Sequence, residues 1–400
     1  MKKIILTNQH VDNRGDESAI IGAIKSLRYY FGLETQITIY LQSGTKQKFL
    51  SRDWNVNEKP MIINPLGILE MLIWIILKLI RVDIRNFSSA KLKDFIKDHE
   101  TADIVISSCG GPYIGDIYIN HEYLHIMHLA LPLFLKIKTV FFAVSMGPFK
   151  NKFMNYFRKK LFQKIGLLIL RDSISFDFVK EFVPENKNIY LTTDACLADE
   201  LNLNKTLKKS NVIGITPLDY KYPLAENAMA LKLNYEKTIV GVLDELTNQN
   251  PELKVEFFPQ LYAKHSDVPF IQKIISKMKF PERTFIFSDQ LSGREQQIEI
   301  ASLEYMIANR YHSAIFACKT NTPVVCIVYE HKAKAFMESV NLGDYCIDIY
   351  NLEKQQLLEM VYLLQKNTKI IKEKLPMVMK EMNKLSNKTS ELIYDYSVEN

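Results

Sequence analysis

Two short stretches in the last quarter of the chain hold the residues best suited to chemistry. Asn309-Arg310-Tyr311-His312-Ser313 is followed by an apolar turn, then by Pro323, an aliphatic run and Tyr329-Glu330-His331-Lys332. The pattern sets an arginine, a histidine, a tyrosine and a lysine at the ends of two neighbouring strands. Ligands of open α/β sheets bind at the carboxyl ends of strands. Arginine and lysine at such an edge imply an anionic ligand, because a guanidinium grips carboxylate or phosphate through two parallel hydrogen bonds. A histidine between them implies proton transfer, since imidazole as a residue type changes charge near neutral pH. A second strand end, Arg171-Asp172, carries another cation and carboxylate pair, with Ser173 placed to cap the helix that follows.

These positions need a scaffold, and the chain reads as alternating β and α. Strands are expected at 2–7, 36–40, 102–107, 139–144, 167–170 and 188–191. The pattern restarts at 211–216, 254–258, 284–287, 304–308 and 324–328. The strands before residue 200 close in polar or glycine-rich turns: 8–16, Ser108-Cys109-Gly110-Gly111-Pro112, Ser145-Met146-Gly147-Pro148 and Arg171-Asp172. Helices are expected at 17–31, 231–248, 268–279, 294–302 and 312–319, with one or two charged amphipathic helices from residue 352 onward. Strands that feed helices in this way form parallel, doubly wound sheets. The expectation is an α/β protein of two Rossmann-like domains, 1–200 and 201–350, facing a central cleft. Helices at 351–400 pack back over the first domain. In this reading the first domain contributes Arg171 to the cleft.

Composition bounds the rest. A chain of 400 residues exceeds one core, and 47% hydrophobic with 24% charged residues describes an ordinary globular protein. The net charge of +6 is too small and too scattered to indicate nucleic acid, and no basic-aromatic RNA motif accompanies it. The five cysteines show no paired spacing and read as buried thiols of a reducing compartment, so they suggest no metal site. The amino terminus has no signal-peptide pattern, which places the protein in the cytoplasm. Residues 66–81 are very hydrophobic but include Glu70 and Lys78, and fall short of the ~20 residues a span needs. Two readings stand. The helix lies in a membrane interface with Trp74, Arg81 and Arg85 near headgroups, at the inner face of the plasma membrane. Alternatively it is buried against its own domain or a partner subunit.

Taken in order, the motifs resemble the polysaccharide pyruvyl transferases. Asn13-Arg14-Gly15-Asp16-Glu17, Cys109-Gly110-Gly111, Arg171-Asp172 with Ser175, Thr193-Asp194-Ala195, and Arg310-Tyr311-His312-Ser313 with Pro323, Tyr329 and Lys332 follow that family's sequence of signatures. The resemblance runs from about residue 4 to about residue 350. Thr193 stands where proline is common and Tyr311 where leucine is common. The family resembles the two-domain GT-B glycosyltransferases in fold. It implies transfer of the enolpyruvyl unit of phosphoenolpyruvate onto two hydroxyls of one sugar, giving a cyclic ketal in cell-surface polysaccharide (capsule or exopolysaccharide) synthesis. The partners are then phosphoenolpyruvate, on the side of the second domain, and a sugar acceptor, on the side of the first, which in one reading is lipid-linked.

Such chemistry needs cations for a double anion, an acid and a base. Arg171, Arg310, Tyr311 and Lys332 are the expected substrate-binding residues, with Asn13, Glu17, Gly110, Gly111 and Asp194 beside them. His312 is the expected acid, and the base is open among Asp16, Glu17 and Asp172. No cofactor and no metal is demanded, because arginines can carry the charge that magnesium carries elsewhere. Plainer readings accompany these. Arg171-Asp172 could be a helix-start ion pair, Asp16-Glu17 a response to the helix dipole, and Gly110-Gly111 a tight turn. His265 and Asp267 read as loop residues. His121, His125 and His128 read as one polar helical face rather than a metal site. Two rival functions remain: a glycosyltransferase using a nucleotide sugar, which predicts an acidic or aromatic pocket in the second domain, and an inactive binding member of the family.

Overall fold

The computed structural model describes residues 2–42, 54–109, 112–203, 206–223, 225–262, 266–288 and 291–399. Gly110, Gly111 and His265 lie outside the described residues, and the side chain of His121 does as well. The chain divides into two compact units. The first is Met1–Val11, Ser18–Asp199 and Asn383–Asn400, and the second is Asp12–Glu17 and Glu200–Met382.

The first unit is built on strands β1 (Lys3–Gln9), β2 (Gln36–Leu41), β3 (Asn57–Pro60), β4 (Ile104–Ser107), β5 (Pro112–Ile114), β6 (Lys138–Met146), β7 (Leu167–Leu170) and β8 (Ile189–Leu191). They run parallel in the order β3-β2-β1-β4-β6-β7-β8, with β5 paired to β6. Near-continuous apolar runs such as Thr139-Val140-Phe141-Phe142-Ala143-Val144 are what a strand covered on both faces requires, and every one of those residues is buried. Its helices are α1 (Arg14–Phe31), α2 (Pro65–Leu79), α3 (Ala90–Glu100), α4 (Ile119–Phe134), α5 (Lys152–Phe162) and α6 (Ser173–Phe182).

The second unit carries β9 (Val212–Thr216), α7 (Ala228–Gln249), β10 (Lys254–Phe257), α8 (Val268–Ile275), β11 (Thr284–Ile286), α9 (Gly293–Ala301), β12 (Met306–Ala308), α10 (Tyr311–Lys319), β13 (Val324–Val328), α11 (His331–Ser339) and β14 (Cys346–Asp348). The strands are parallel in the order β11-β10-β9-β12-β13-β14. A single helix, α12 (Lys354–Val398), follows, with Pro376 inside it.

Both sheets are α/β and parallel, as the alternating pattern requires. Residues 383–399 of α12 pack back on the first unit: Ser386 Oγ donates to the Asp194 carbonyl (2.9 Å), and Thr389 Oγ1 lies 2.8 Å from Thr192 Oγ1. The break falls between Asp199 and Glu200, as expected, but residues 12–17 count with the second unit, and so do residues 351–382, which were expected to pack on the first.

Two local readings change. Trp74 does not face a headgroup layer: it is buried, and its Nε1 donates to Asp83 (3.0 Å). Arg85 is held by Glu100 and Asp83. On α4, His125 and His128 are buried rather than forming a polar surface face, and the His128 Nε2–H donates to the Ile62 carbonyl (2.6 Å). Among the described residues no group of three or more His, Cys, Asp or Glu could hold a metal ion.

Candidate active site

β12 delivers Asn309 and Arg310 to the carboxyl edge of the second sheet. Asn309 is fixed there, its N–H donating to Thr216 Oγ1 (3.0 Å) and its Nδ2 to the Ile327 carbonyl (2.7 Å). Arg310 is extended (φ −118°, ψ 137°) and takes the N-cap position of α10. Its Nη2 pairs with Asp267, while its Nε is buried without a hydrogen-bond partner among the described residues. Tyr311 and His312 open the helix, both buried, their rings edge to face at 4.9 Å. Lys332, in the first turn of α11, lies over the Tyr311 ring (5.8 Å) and pairs with Glu330 (2.7 Å). Helix amino termini leave backbone N–H groups pointing outward, so α10 adds donors beside the two cations.

Asp267 does more than neutralise Arg310. Its second oxygen accepts the N–H groups of Gln260 (3.0 Å) and Leu261 (2.9 Å), so one carboxylate ties the turn after β10 to the arginine. That turn in turn holds residues 12–17. Arg14 N–H donates to the Gln260 carbonyl (3.0 Å), and Tyr262 N–H to the Asp12 carbonyl (3.1 Å). The Arg14 guanidinium stacks 4.4 Å over the Tyr262 ring and bonds Glu17 at 2.8 Å. The other Glu17 oxygen accepts the Gly293 N–H at the start of α9 (3.0 Å). Burial raises the Glu17 carboxyl above its ordinary range, and Arg14 with the Gly293 N–H opposes it. The result is close contact between Gly15 and His312: a Cβ on Gly15 would sit 2.0 Å from Nδ1 and 2.1 Å from Cγ. Only glycine leaves room for the imidazole. Asn13 shapes this turn through its Oδ1, which accepts the Gly15 N–H (2.8 Å).

Asp16 is half-buried, with no hydrogen-bond or ion-pair partner among the described residues. The Tyr329 phenol is held protonated by burial and by the carboxylates of Glu330, Asp267 and Asp16, against Arg310. Tyr329 also belongs to an aromatic cluster at the ends of β9, β13 and β14. Tyr220 lies 5.2 Å from it and 4.9 Å from Tyr222, which lies 5.3 Å from Tyr350.

The first unit gathers a different network. Arg171 donates from Nε to Ser145 Oγ (2.8 Å) and from Nη1 to Asp194 (2.7 Å), with both charged side chains fully buried. Asp172 caps α6 through the Ser175 N–H (2.8 Å) and accepts the hydroxyls of Ser145 (2.7 Å) and Ser175 (2.8 Å). The remaining Asp194 oxygen accepts the Cys196 N–H (2.9 Å). These groups bind one another: three strand ends are locked together by charge and hydroxyl.

A sequence profile described as polysaccharide pyruvyl transferase matches residues 13–331, from the first residue of the Asn13 turn to the start of α11. The chain belongs to the polysaccharide pyruvyl transferase family. It is 22% identical over 413 residues to the amylovoran biosynthesis protein AmsJ of Erwinia amylovora, covering 97% of this chain and 98% of that one. Its fold is similar to a glycosyltransferase from Rickettsia africae (TM-score 0.60, 14% identity, 100% of this chain and 99% of that one). It is also similar to a putative UDP-N-acetylglucosamine 2-epimerase from Listeria monocytogenes (TM-score 0.59, 11% identity, 94% and 91%). These neighbours establish the two-sheet GT-B-like fold.

In this family member the second unit brings together Arg310, Tyr311, His312, Lys332, Asn13, Asp16 and Glu17. Arg171, Asp172 and Asp194 are gathered separately in the first unit. Asp267 lies on the loop before α8, as read from sequence, but is buried beside Arg310, and Gln260 and Gln296 are buried in the network behind it. One signal was available: Asp267 precedes Val268-Pro269, a helix-start pattern that puts a carboxylate at a strand-to-helix turn. Nothing local marks Gly15 as a partner of His312, since 297 residues separate them.

Proposed function

We propose that this chain transfers the enolpyruvyl unit of phosphoenolpyruvate onto two hydroxyls of one sugar, forming a pyruvate ketal in exopolysaccharide biosynthesis. The observation that carries the reading is the placing of Arg310, anchored by Asp267, beside His312 in the first turn of α10, walled by Gly15. Arg310, Lys332 and the amino terminus of α10 suit a ligand that carries phosphate and carboxylate on a three-carbon frame. His312 gives its proton to the methylene carbon, leaving an oxocarbenium-like centre at the neighbouring carbon. A sugar hydroxyl adds there and loses its proton to a carboxylate. Asp16 is the choice for that base, because the oxygens of Glu17 and Asp172 are already engaged. The bond to the phosphate oxygen then breaks, phosphate leaves with its electron pair, and the second hydroxyl closes the ketal as its proton passes to the now neutral His312. Arg171, Asp172 and Asp194 act as positioning residues of the first unit.

One observation favours a second reading, a glycosyltransferase using a nucleotide sugar: the tyrosine cluster of 220, 222, 329 and 350 is the aromatic surface such a donor would ask for. Incubation with phosphoenolpyruvate and galactose-, mannose- or N-acetylhexosamine-terminated acceptors separates the two. Phosphate release with the matching mass gain on the sugar is expected. Turnover with a nucleotide sugar and none with phosphoenolpyruvate would overturn the proposal in favour of the second reading.

A further inference from the structure

α2 turns its apolar side outward. Leu66, Leu69, Ile73 and Ile76 in the helix, with Ile80 just past its end, are 42–77% exposed and recur every three or four residues. At 100° per residue this stripe lies opposite Met71 and Trp74, which are fully buried. The charges in the segment are not on the stripe. Glu70 accepts the Ser89 N–H (2.5 Å) and hydroxyl (2.8 Å) at the start of α3, and Lys78 pairs with Asp83 (2.5 Å). No described helix is long and apolar enough to cross a membrane.

α5 repeats the pattern with different side chains. Phe153, Tyr156 and Phe157 are exposed, and Arg158, Leu161 and Phe162 are buried. Lys150, Lys152, Lys159, Lys160 and Lys164 surround the rings, all exposed and none ion-paired among the described residues. From Tyr123 to Arg171 the sequence contains no Asp or Glu at all.

The two helices share one face of the first sheet. α2 and α3 join β3 to β4, α4 joins β4 towards β6, and α5 joins β6 to β7, so every crossover advances in one direction along the strand order. Right-handed crossovers then place all four on the same side. The packing agrees: Leu131 of α4 joins the core cluster of Met71 and Trp74, and Leu129 of α4 joins that of Leu161 and Phe162.

We propose that this face docks on an anionic phospholipid leaflet, with the aliphatic stripe of α2 and the α5 rings at the acyl boundary and the lysines among the headgroups. The lysines decide the occupant. Protein interfaces are depleted of lysine at their centre, and a second copy would bring the same unpaired lysines against themselves. An anionic leaflet is complementary to both halves of the surface. The inference stands whatever donor the enzyme uses.

Flotation of the full chain with vesicles of roughly equal phosphatidylglycerol and phosphatidylcholine, against pure phosphatidylcholine, tests it. Binding to the anionic vesicles, weakened by salt, is expected. The triple variant Lys152→Gln, Lys159→Gln, Lys160→Gln should bind about a hundredfold more weakly, at roughly fivefold per lysine. Leu69→Ser with Ile73→Ser and Ile76→Ser should lose binding while keeping the wild-type circular dichroism spectrum. Absence of wild-type binding, or equal binding by wild type and both variants, overturns the proposal. So does a wild-type dimer that the stripe variant converts to monomer without any vesicle binding.

Discussion

At the scale of single residues, the site depends on one glycine as much as on its charged groups. Gly15→Ala would place a methyl inside the His312 ring, so either the imidazole or the 12–17 turn must move. The expected outcome is a loss of turnover comparable with that of His312→Ala, roughly 10²–10⁴-fold, in a protein destabilised by about 1–3 kcal/mol. Steady-state kinetics and a denaturant titration read the two effects separately. Arg310→Ala should abolish phosphoenolpyruvate binding in calorimetry, whereas His312→Ala should bind it and fail to turn over. If both variants stayed active, the site would lie elsewhere. Asp267→Asn keeps an oxygen for the Gln260 and Leu261 N–H groups but removes the charge that holds Arg310. It should therefore raise KM for phosphoenolpyruvate at least tenfold and leave kcat nearly unchanged. A fall in kcat with unaltered KM would mean that Asp267 does not act through Arg310. Arg171→Ala leaves a fully buried Asp194 carboxylate without its cation, and breaking a buried pair costs about 3–5 kcal/mol. Its signature is a lower denaturant midpoint, in contrast to Arg310→Ala.

At the scale of elements, the strands that end in the candidate site residues were legible because they are buried on both faces. Runs such as Leu167-Leu168-Ile169-Leu170 and Val324-Val325-Cys326-Ile327-Val328 leave no other reading, and the polar residues that end them mark the carboxyl edge. Of the edge strands, β8 and β11 were legible, whereas β3 and β14 were not. β3 is Asn57-Glu58-Lys59-Pro60, with no apolar periodicity, and is a strand only because Thr38 to Leu41 of β2 offer it a ladder. The site was legible in its parts but not in its grouping. Arg171 and Arg310 occupy equivalent strand ends, and sequence assigns both to one anion. In the structure each has its own buried carboxylate, Asp194 for Arg171 in the first unit and Asp267 for Arg310 in the second. Asp267 escaped notice because its worth lies in contacts to Gln260, Leu261 and Arg310, which sequence spacing does not encode.

At the scale of the whole molecule, acid sensitivity should come from the first unit. His99 is fully buried in α3 with its Nδ1–H donating to the Phe95 carbonyl (2.7 Å), and burial lowers its pKa from 6.5 to about 4. Burial lowers His128 as well. Between the two His99 values the unfolded chain binds a proton that the folded chain does not, so stability rises with pH. The contribution is therefore complete above pH ~6.5 and lost as pH falls towards ~4, amounting to about 3 kcal/mol for His99. Urea unfolding across that window should show the slope, and His99→Phe should flatten it. An unchanged slope in the variant would show that His99 does not hold this proton linkage.

The return of α12 also sets an order of assembly. Residues 383–399 bond Asp194 and Thr192, present three backbone carbonyls to Lys138 Nζ and pack Tyr394 against Phe31 (5.2 Å). On the ribosome, the amino-terminal half emerges long before the segment that closes over it. The second unit is thus synthesised while the first is still open along that side. The half of the protein that is made first is the half that is finished last.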